Sequence, residues 1–456
     1  MREEVVVSSV NDNTGNSVTT VYDVPEALDS VEASIASKEG QIQNPKDLET
    51  TDPSLPPLDG SRGWLVVLGA FFIQLLCFGT ASAWGVMQAA FEKIFQDVPD
   101  AQLQLSFAGT LLEVFVNMMG PVAQIIRARY GVKVLLVSGS LLAIIGLEMA
   151  GFTTQIWHLY LCQGVVFGSG ASLMYCCVMN TAPRWFDKKR GLAMGLASSG
   201  SGLGGLILPF ILDAVNKSLG IGWTYRILGF IILICCVFAC VLVKERVKQP
   251  RQSKTLSDLF DFSVLKDINY VLWLLGSVIS LSGFFVPYFF LPSYADHIGL
   301  SSSQGSALVA VMSTGNFLGR IIVGFTADKI GRLNADIIWT IVCGLSSFLI
   351  WMFAYSYAVL MGFCVLFGLC CGSYFTLLSP ITMDIVGQDR FPTALSLLLM
   401  ANIFSVFGPS IASGIQTKVE TPFLVYKYFT GSSYVLGGLI LVVLKFKLSR
   451  NILTKM

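Results

Sequence analysis

Twelve times along the chain the sequence stays apolar for about the length needed to cross a lipid bilayer, roughly 20 residues, and then breaks into a polar connection. The runs fall at approximately 64–87, 103–126, 134–152, 158–182, 191–213, 224–243, 269–291, 304–326, 335–355, 357–380, 392–415 and 428–446. Hydrocarbon offers no water to the backbone, so every crossing must satisfy its own N–H and C=O groups. Long, uniformly apolar runs do this as helices, whereas barrel strands are shorter and alternate in hydropathy. Composition agrees: 54% of residues are hydrophobic and 13% charged, against roughly 25% charged in a soluble chain. The predicted fold is an all-α membrane protein with twelve transmembrane helices.

Residues 1–62 are of a different kind, with 12 acidic and 4 basic side chains and much Ser, Thr, Asn and Pro. A segment with so little apolar surface cannot offset its ordering entropy and reads as a disordered acidic tail. The longest internal polar connection, 245–268, divides the rest into bundles of six helices at 63–244 and 269–446, followed by a short tail at 447–456. With the N-terminal tail on the cytoplasmic side, 20 Lys and Arg residues fall on that side and 5 on the other. This positive-inside bias predicts that both termini are cytoplasmic. The same arithmetic hides a basic membrane domain behind a net charge of +1. A domain of that kind suits anionic lipid and gives no reason to expect a nucleic-acid partner.

The halves echo each other at one place. "GPVAQIIRARYGVK" (Gly120 to Lys133) joins the second and third runs, and "GFTADKIGRLN" (Gly324 to Asn334) joins the eighth and ninth. Such a repeat marks a two-bundle transporter with its site between pseudo-symmetric halves. "GFTADKIGR" resembles the G-x-x-x-D-R/K-x-G-R loop of the major facilitator superfamily, complete in the second half and degenerate in the first, where Gln124 takes the place of Asp. The resemblance implies a latch built from Asp328, Lys329 and Arg332. Physically, Asp328 pairs with one of those cations or caps a neighbouring helix N-terminus.

A narrower resemblance is to the monocarboxylate-transporter family, closest to its fungal members. It rests on Asp59-Gly60-Ser61-Arg62-Gly63-Trp64 before the first run, on the pattern from Trp185 through Lys188, Lys189, Ala193, Gly195 and Gly200, and on "MDIVGQDRF" (Met383 to Phe391). In that family an Asp and an Arg four residues apart serve the carboxylate; here the positions are Asn316 and Arg320. The family's Lys in the first helix is absent, and Trp84 or its neighbours stand there instead.

Arg320 is informative without any family. An Arg within a spanning helix costs about 2.5 kcal/mol or more and is by default functional. Its planar fork can grip a carboxylate through two parallel hydrogen bonds. The competing expectation is that it snorkels and pairs with Asp328 or Asp384. Asn316, Trp84, Tyr288, Ser379 and Asn402 complete the expected substrate-binding set, with Phe375 and Tyr175 as further aromatic candidates. Glu113 and Glu148 are the candidate proton carriers, each balanced against a purely structural role.

"SSGSGLGG" (Ser198 to Gly205) contains a G-x-G-x-x-G spacing, but no strand precedes it and it lies inside an apolar run. The nucleotide-loop reading therefore fails, and the small residues become a close-packing seam. The two histidines, His158 and His297, have no Cys or carboxylate at ligand spacing, so no metal or other cofactor is expected. The eleven cysteines read as small packing residues. No nucleophile–base constellation supports an enzyme. The expected function is a secondary transporter of a small organic solute by alternating access, with a carboxylate or other planar anion favoured and proton coupling left open. The alternatives are a facilitator of a larger aromatic solute such as a vitamin and a non-transporting sensor. The expected location is the plasma membrane, with an internal membrane such as the vacuole as the alternative.

Overall fold

The protein is described by a computed structural model covering residues 56–247 and 262–449. All of the architecture lies in the unit that begins at Leu58. The expected tail falls almost wholly outside the described residues, as do most of the central connection and residues 450–456. Every regular element among the described residues is helical.

The spanning helices are α1 (Ser61–Ile94), α2 (Ala101–Met118 with Gly120–Tyr130), α3 (Val132–Ala150), α4 (Ile156–Trp185), α5 (Arg190–Leu219), α6 (Ile221–Leu242), α7 (Ile268–His297), α8 (Ser302–Ile330) and α9 (Arg332–Leu349). A 60-residue helical stretch follows, Tyr357–Gln416. It reverses at Gly387, whose φ of 78° and ψ of 173° are open to glycine and strained for any residue with a Cβ. Its halves, α10 (357–386) and α11 (388–416), are each about 45 Å or less at 1.5 Å per residue and long enough to cross. With α12 (Leu424–Leu448) the described crossings number twelve, as the hydropathy runs predict.

Several helices are broken at mid-membrane, which hydropathy did not reveal. α1 breaks at Ala83, α2 bends by 42° at Met119, and α10 and α11 break at Gly372 and Phe407. At two of these the cause is local: Pro121 and Pro409 open the following piece, and a proline there cannot donate to the preceding turn. α4 passes through a π-helical stretch at Tyr160–Phe167. The repeated connections α2–α3 and α8–α9 each turn on a glycine of positive φ, Gly131 at 89° and Gly331 at 98°. The echo in the sequence is thus an echo in backbone shape. These connections and the end of α4 mark one end of the molecule by its Arg and Lys side chains, here called the basic end.

α5 holds the two bundles together, and its glycines explain how. On one face a Cβ at Gly200 or Gly204 would lie 2.2 Å from the carbonyl oxygens of Phe71 or Leu75 in α1. On another, a Cβ at Gly195 would lie 2.5 Å from the Arg320 carbonyl, and one at Gly202 would lie 2.8 Å from the Phe317 Cα in α8. The G-x-G-x-x-G stretch therefore serves two seams: Gly200 and Gly204 bind α5 into its own bundle, and Gly202, with Gly195 before the stretch, faces the other. Only glycine permits such backbone approach. Replacing Gly204 with Leu should push α1 and α5 apart at a cost of about 1–3 kcal/mol or more. That cost would be read as a lowered melting temperature of the detergent-purified protein, with the conservative Gly204→Ala falling in between.

Candidate functional site

The site is built on α8, whose first turn is fixed by a capping box between Ser301 and Gln304. Arg320 lies ten residues from the end of α8, about 15 Å along its axis, and is 4% exposed. Asn316, one turn earlier on the same face, accepts a hydrogen bond from Arg320 Nε at 2.6 Å. The Asn316 amide then donates to the Tyr288 hydroxyl of α7 at 3.1 Å and lies 3.5 Å from Cys371 Sγ. These partners orient both polar ends of Asn316. Arg320 Nη1 donates across the bundle interface to the Ser198 carbonyl at 3.0 Å. The two bonds use two of the five N–H donors of the guanidinium.

Room for this cluster comes from the break in α10. A Cβ at Gly372 would lie 2.8 Å from Asn316 Oδ1 and 2.9 Å from Arg320 Cγ. The helix resumes at Ser373 and places the Phe375 ring under the guanidinium, 4.7 Å from its carbon to the ring centroid. A cation over a ring face is attracted by the ring quadrupole. Phe375 also meets Phe284 and Tyr374 at 5.2 and 5.4 Å, and Phe78 of α1 at 6.3 Å. Phe78 in turn meets Tyr175 of α4 edge-on at 5.0 Å. The ring under the guanidinium thus belongs to an aromatic cluster drawn from both bundles.

Among the described residues, no carboxylate forms a salt bridge with Arg320. The expected alternative, pairing with Asp328 or Asp384, does not occur because both acids are engaged nearer the basic end. Asp328 accepts from the backbone N–H groups of Gly191 and Leu192 at 2.7 and 2.8 Å, capping the N-terminus of α5 from the other bundle. Asp384 bridges Arg190 at 3.3 Å and Arg332 at 2.7 Å. Arg332 also donates to the Asp187 carbonyl at 2.8 Å. Of the expected latch residues, Asp328 and Arg332 thus meet the other bundle, and Lys329 instead stands over the Phe325 ring at 4.2 Å. Gln124, the residue in the degenerate loop, donates across the same seam to Ser396 at 2.8 Å and to the Pro392 carbonyl.

Not all the expected residues gather at Arg320. Asn316 and Tyr288 do. Ser379 donates instead to the Met179 carbonyl of α4 at 3.1 Å, a packing bond between bundles. Asn402 is locked to the Tyr374 hydroxyl inside the second bundle. Trp84 packs its indole on Gly109 of α2, where a Cβ would lie 2.5 Å from the ring. Glu148 sits on the outer α3–α6 pair against Gly229, near Arg226. Glu113 lies on the first piece of α2, before the break at Met119. Asn117 donates to the Glu113 carbonyl within α2. Cys371, Gly372 and the carbonyl of Ser198 were missed. A backbone carbonyl or a helix break leaves no signal in the sequence.

Two helical bundles meet around a buried cation that has no salt bridge among the described residues. The family model for the Major Facilitator Superfamily matches residues 66–409 and 274–451, and the chain belongs to that superfamily. It is similar to the MFS-type transporter pynF of Aspergillus niger, 32% identical over 86% of this chain and 90% of the relative. It is also similar to the agnestins efflux protein AgnL12 of Paecilomyces divaricatus, 28% identical over 89% of this chain and 93% of that one. Among solved structures it shares its fold with the superfamily transporter FucP in the outward conformation. There the TM-score is 0.66 with 11% identity, over 83% of this chain and 98% of that one.

Asp384→Ala removes the shared anion of Arg190 and Arg332 and should loosen the basic end. In a background lacking the eleven native cysteines, Thr376→Cys, buried against Ser198, should react with a small maleimide several-fold faster once Asp384 is replaced. Equal rates would mean the ion pairs do not hold the bundles together.

Proposed function

We propose that the protein is a secondary carrier that exports a small planar organic anion, a carboxylate with an aromatic or conjugated body. The observation that carries this reading is Arg320: buried between the bundles, without a carboxylate partner among the described residues, and set on the Phe375 ring. A desolvated cation left uncompensated is costly, and an anionic solute arriving with its own charge would compensate it. Phe375, Phe284, Phe78 and Tyr175 offer faces and edges to an apolar ring attached to that charge. Asn316 holds the guanidinium in place and is itself held by the Tyr288 hydroxyl. The resemblance to monocarboxylate transporters at the Asn316–Arg320 spacing supports a carboxylate, and the efflux proteins among the relatives support export.

In this reading the basic end faces the cytoplasm, following the positive-inside bias, and both termini lie on that side at the plasma membrane. The state described is then closed toward the cytoplasm by Asp328, Asp384 and Gln124. Alternating access requires those bonds to break while the Gly195 and Gly202 seam rocks. Exchange with protons belongs to the same reading, with Glu113 as its expected carboxyl.

The aromatic ring around the site favours a second reading, a facilitator of an uncharged aromatic solute in which Arg320 serves only as a cation on Phe375. Flux of radiolabelled benzoate and related aromatic acids into proteoliposomes separates the two. Hydrogen bonds to charged groups contribute about 1.5–3 kcal/mol each, so Arg320→Ala should lower flux by about tenfold or more while Arg320→Lys retains part of it. Undiminished flux in Arg320→Ala would rule out the carboxylate clamp.

A further inference from the structure

A second buried cation lies apart from the solute site and the latch. Lys427, in the first turn of α12, is 5% exposed, and no salt bridge among the described residues includes it. Its Nζ donates to the Tyr294 hydroxyl of α7 at 2.9 Å, and that hydroxyl donates in turn to the Ala354 carbonyl at 2.8 Å. The ammonium also stands 4.2 Å from the centroid of the Tyr294 ring and 5.5 Å from that of Tyr355. Ring faces and one hydroxyl lessen the cost of burying a charge without neutralising it. The acids closest in sequence to Tyr294 and Lys427, Asp296 and Glu420, are exposed.

Other polar hydrogens beside this lysine are unused. Trp351, just beyond α9, is fully buried, and its indole Nε1 has no hydrogen-bond partner among the described residues. Its ring meets that of Tyr294 edge-on, with centroids 6.4 Å apart. Thr430 lies one turn along α12 from Lys427, and its buried hydroxyl is likewise without a partner among the described residues. A threonine inside a helix can turn to the carbonyl four residues back; this one does not. The Ser347 hydroxyl donates to the Lys427 carbonyl at 2.9 Å and fixes α9 against α12. Trp351, one turn past Ser347, is thereby set beside the start of α12.

Buried polar groups nearly always have a partner, and a cluster without one calls for a guest. The donors specify its chemistry. The ammonium has two N–H groups left of three, the indole has an N–H and no acceptor, and the Thr430 hydroxyl can donate. What fits is therefore an acceptor with a negative charge. It must also be small, since Lys427, Tyr294 and Trp351 are all buried. We propose that Lys427, Trp351 and Thr430 form a binding site for a small monovalent anion of halide size, at the end of the second bundle away from the latch. Tyr355, in the α9–α10 connection and 74% exposed, covers the ammonium. The piece of α7 that carries Tyr294 also carries Tyr288, whose hydroxyl holds Asn316. Anion occupancy thus steadies the helix piece that supports the solute site. The anion site is separate from Arg320, so it stands whether or not the aromatic-acid reading holds.

Thermal unfolding of the full chain in detergent, without solute, tests this. Chloride substituted for gluconate at constant ionic strength should raise the melting temperature by several degrees, with saturation, and bromide should act alike. Lys427→Met should abolish the rise. Trp351→Phe keeps the ring, removes the N–H, and should move half-saturation to a several-fold higher chloride concentration; it decides the matter by itself should Lys427→Met fail to fold. In Arg320→Ala the chloride response should persist, which separates this site from the solute site. Equal melting temperatures in chloride and gluconate, or a half-saturation unmoved by Trp351→Phe, would overturn the proposal. So would loss of the response in Arg320→Ala, which would assign the anion to the solute site instead.

Discussion

Backbone contact along α5 is the constraint on which the rest of the structure depends. A helix in hydrocarbon gains little from burying apolar side chains against other apolar side chains, since lipid is as apolar as they are. Association must come from close packing and from polar bonds between helices. α5 achieves the first with glycine on two faces, one against α1 and one against α8. Larger residues at these positions would hold the bundles several ångströms apart, and the Ser198 carbonyl could not reach Arg320.

Once the bundles touch, polar groups decide where they hold. Asp328 places a carboxylate on the N–H groups at the start of α5, where the helix dipole and unpaired donors favour an anion. Asp59 does the same from the segment before α1, accepting from the N–H groups of Lys188 and Lys189 at 3.2 and 3.0 Å. One helix start is thus served by two acids, one fixed to its own bundle and one belonging to the other. Only the second must be released when the bundles part. The capped donors do not lose all their anionic company in that step, which lowers its cost.

Helix breaks do for the solute site what glycine does for the seam. The Gly372 break turns α10 aside where Asn316 and Arg320 need space, and the resumed helix brings Phe375 under the guanidinium. A straight helix with a side chain at 372 would close this space. Irregular backbone at membrane depth is tolerated where it is enclosed by protein, and Gly372 is enclosed by α8.

Much of the fold was legible because its signals are local. Twelve apolar runs, a polar break after six, paired Gly-containing connections and a basic bias at one end follow from the chain's need to cross lipid, which each segment answers by itself. Arg320 and Asn316 were legible for the same reason: a charge in an apolar run stands out wherever it points. The partners of those residues were not legible. That Asp328 would cap α5 rather than join Lys329, that Ser379 and Asn402 would be spent on packing, and that Glu148 would face the α3–α6 pair all depend on which helix faces which. What the sequence by itself determined is the number, length and polarity of the helices and the cost of placing Arg320 among them. Tertiary structure alone decided which charges find partners, because a hydrogen bond of 3 Å between residues more than a hundred positions apart is set by packing and has no counterpart in the spacing of the chain.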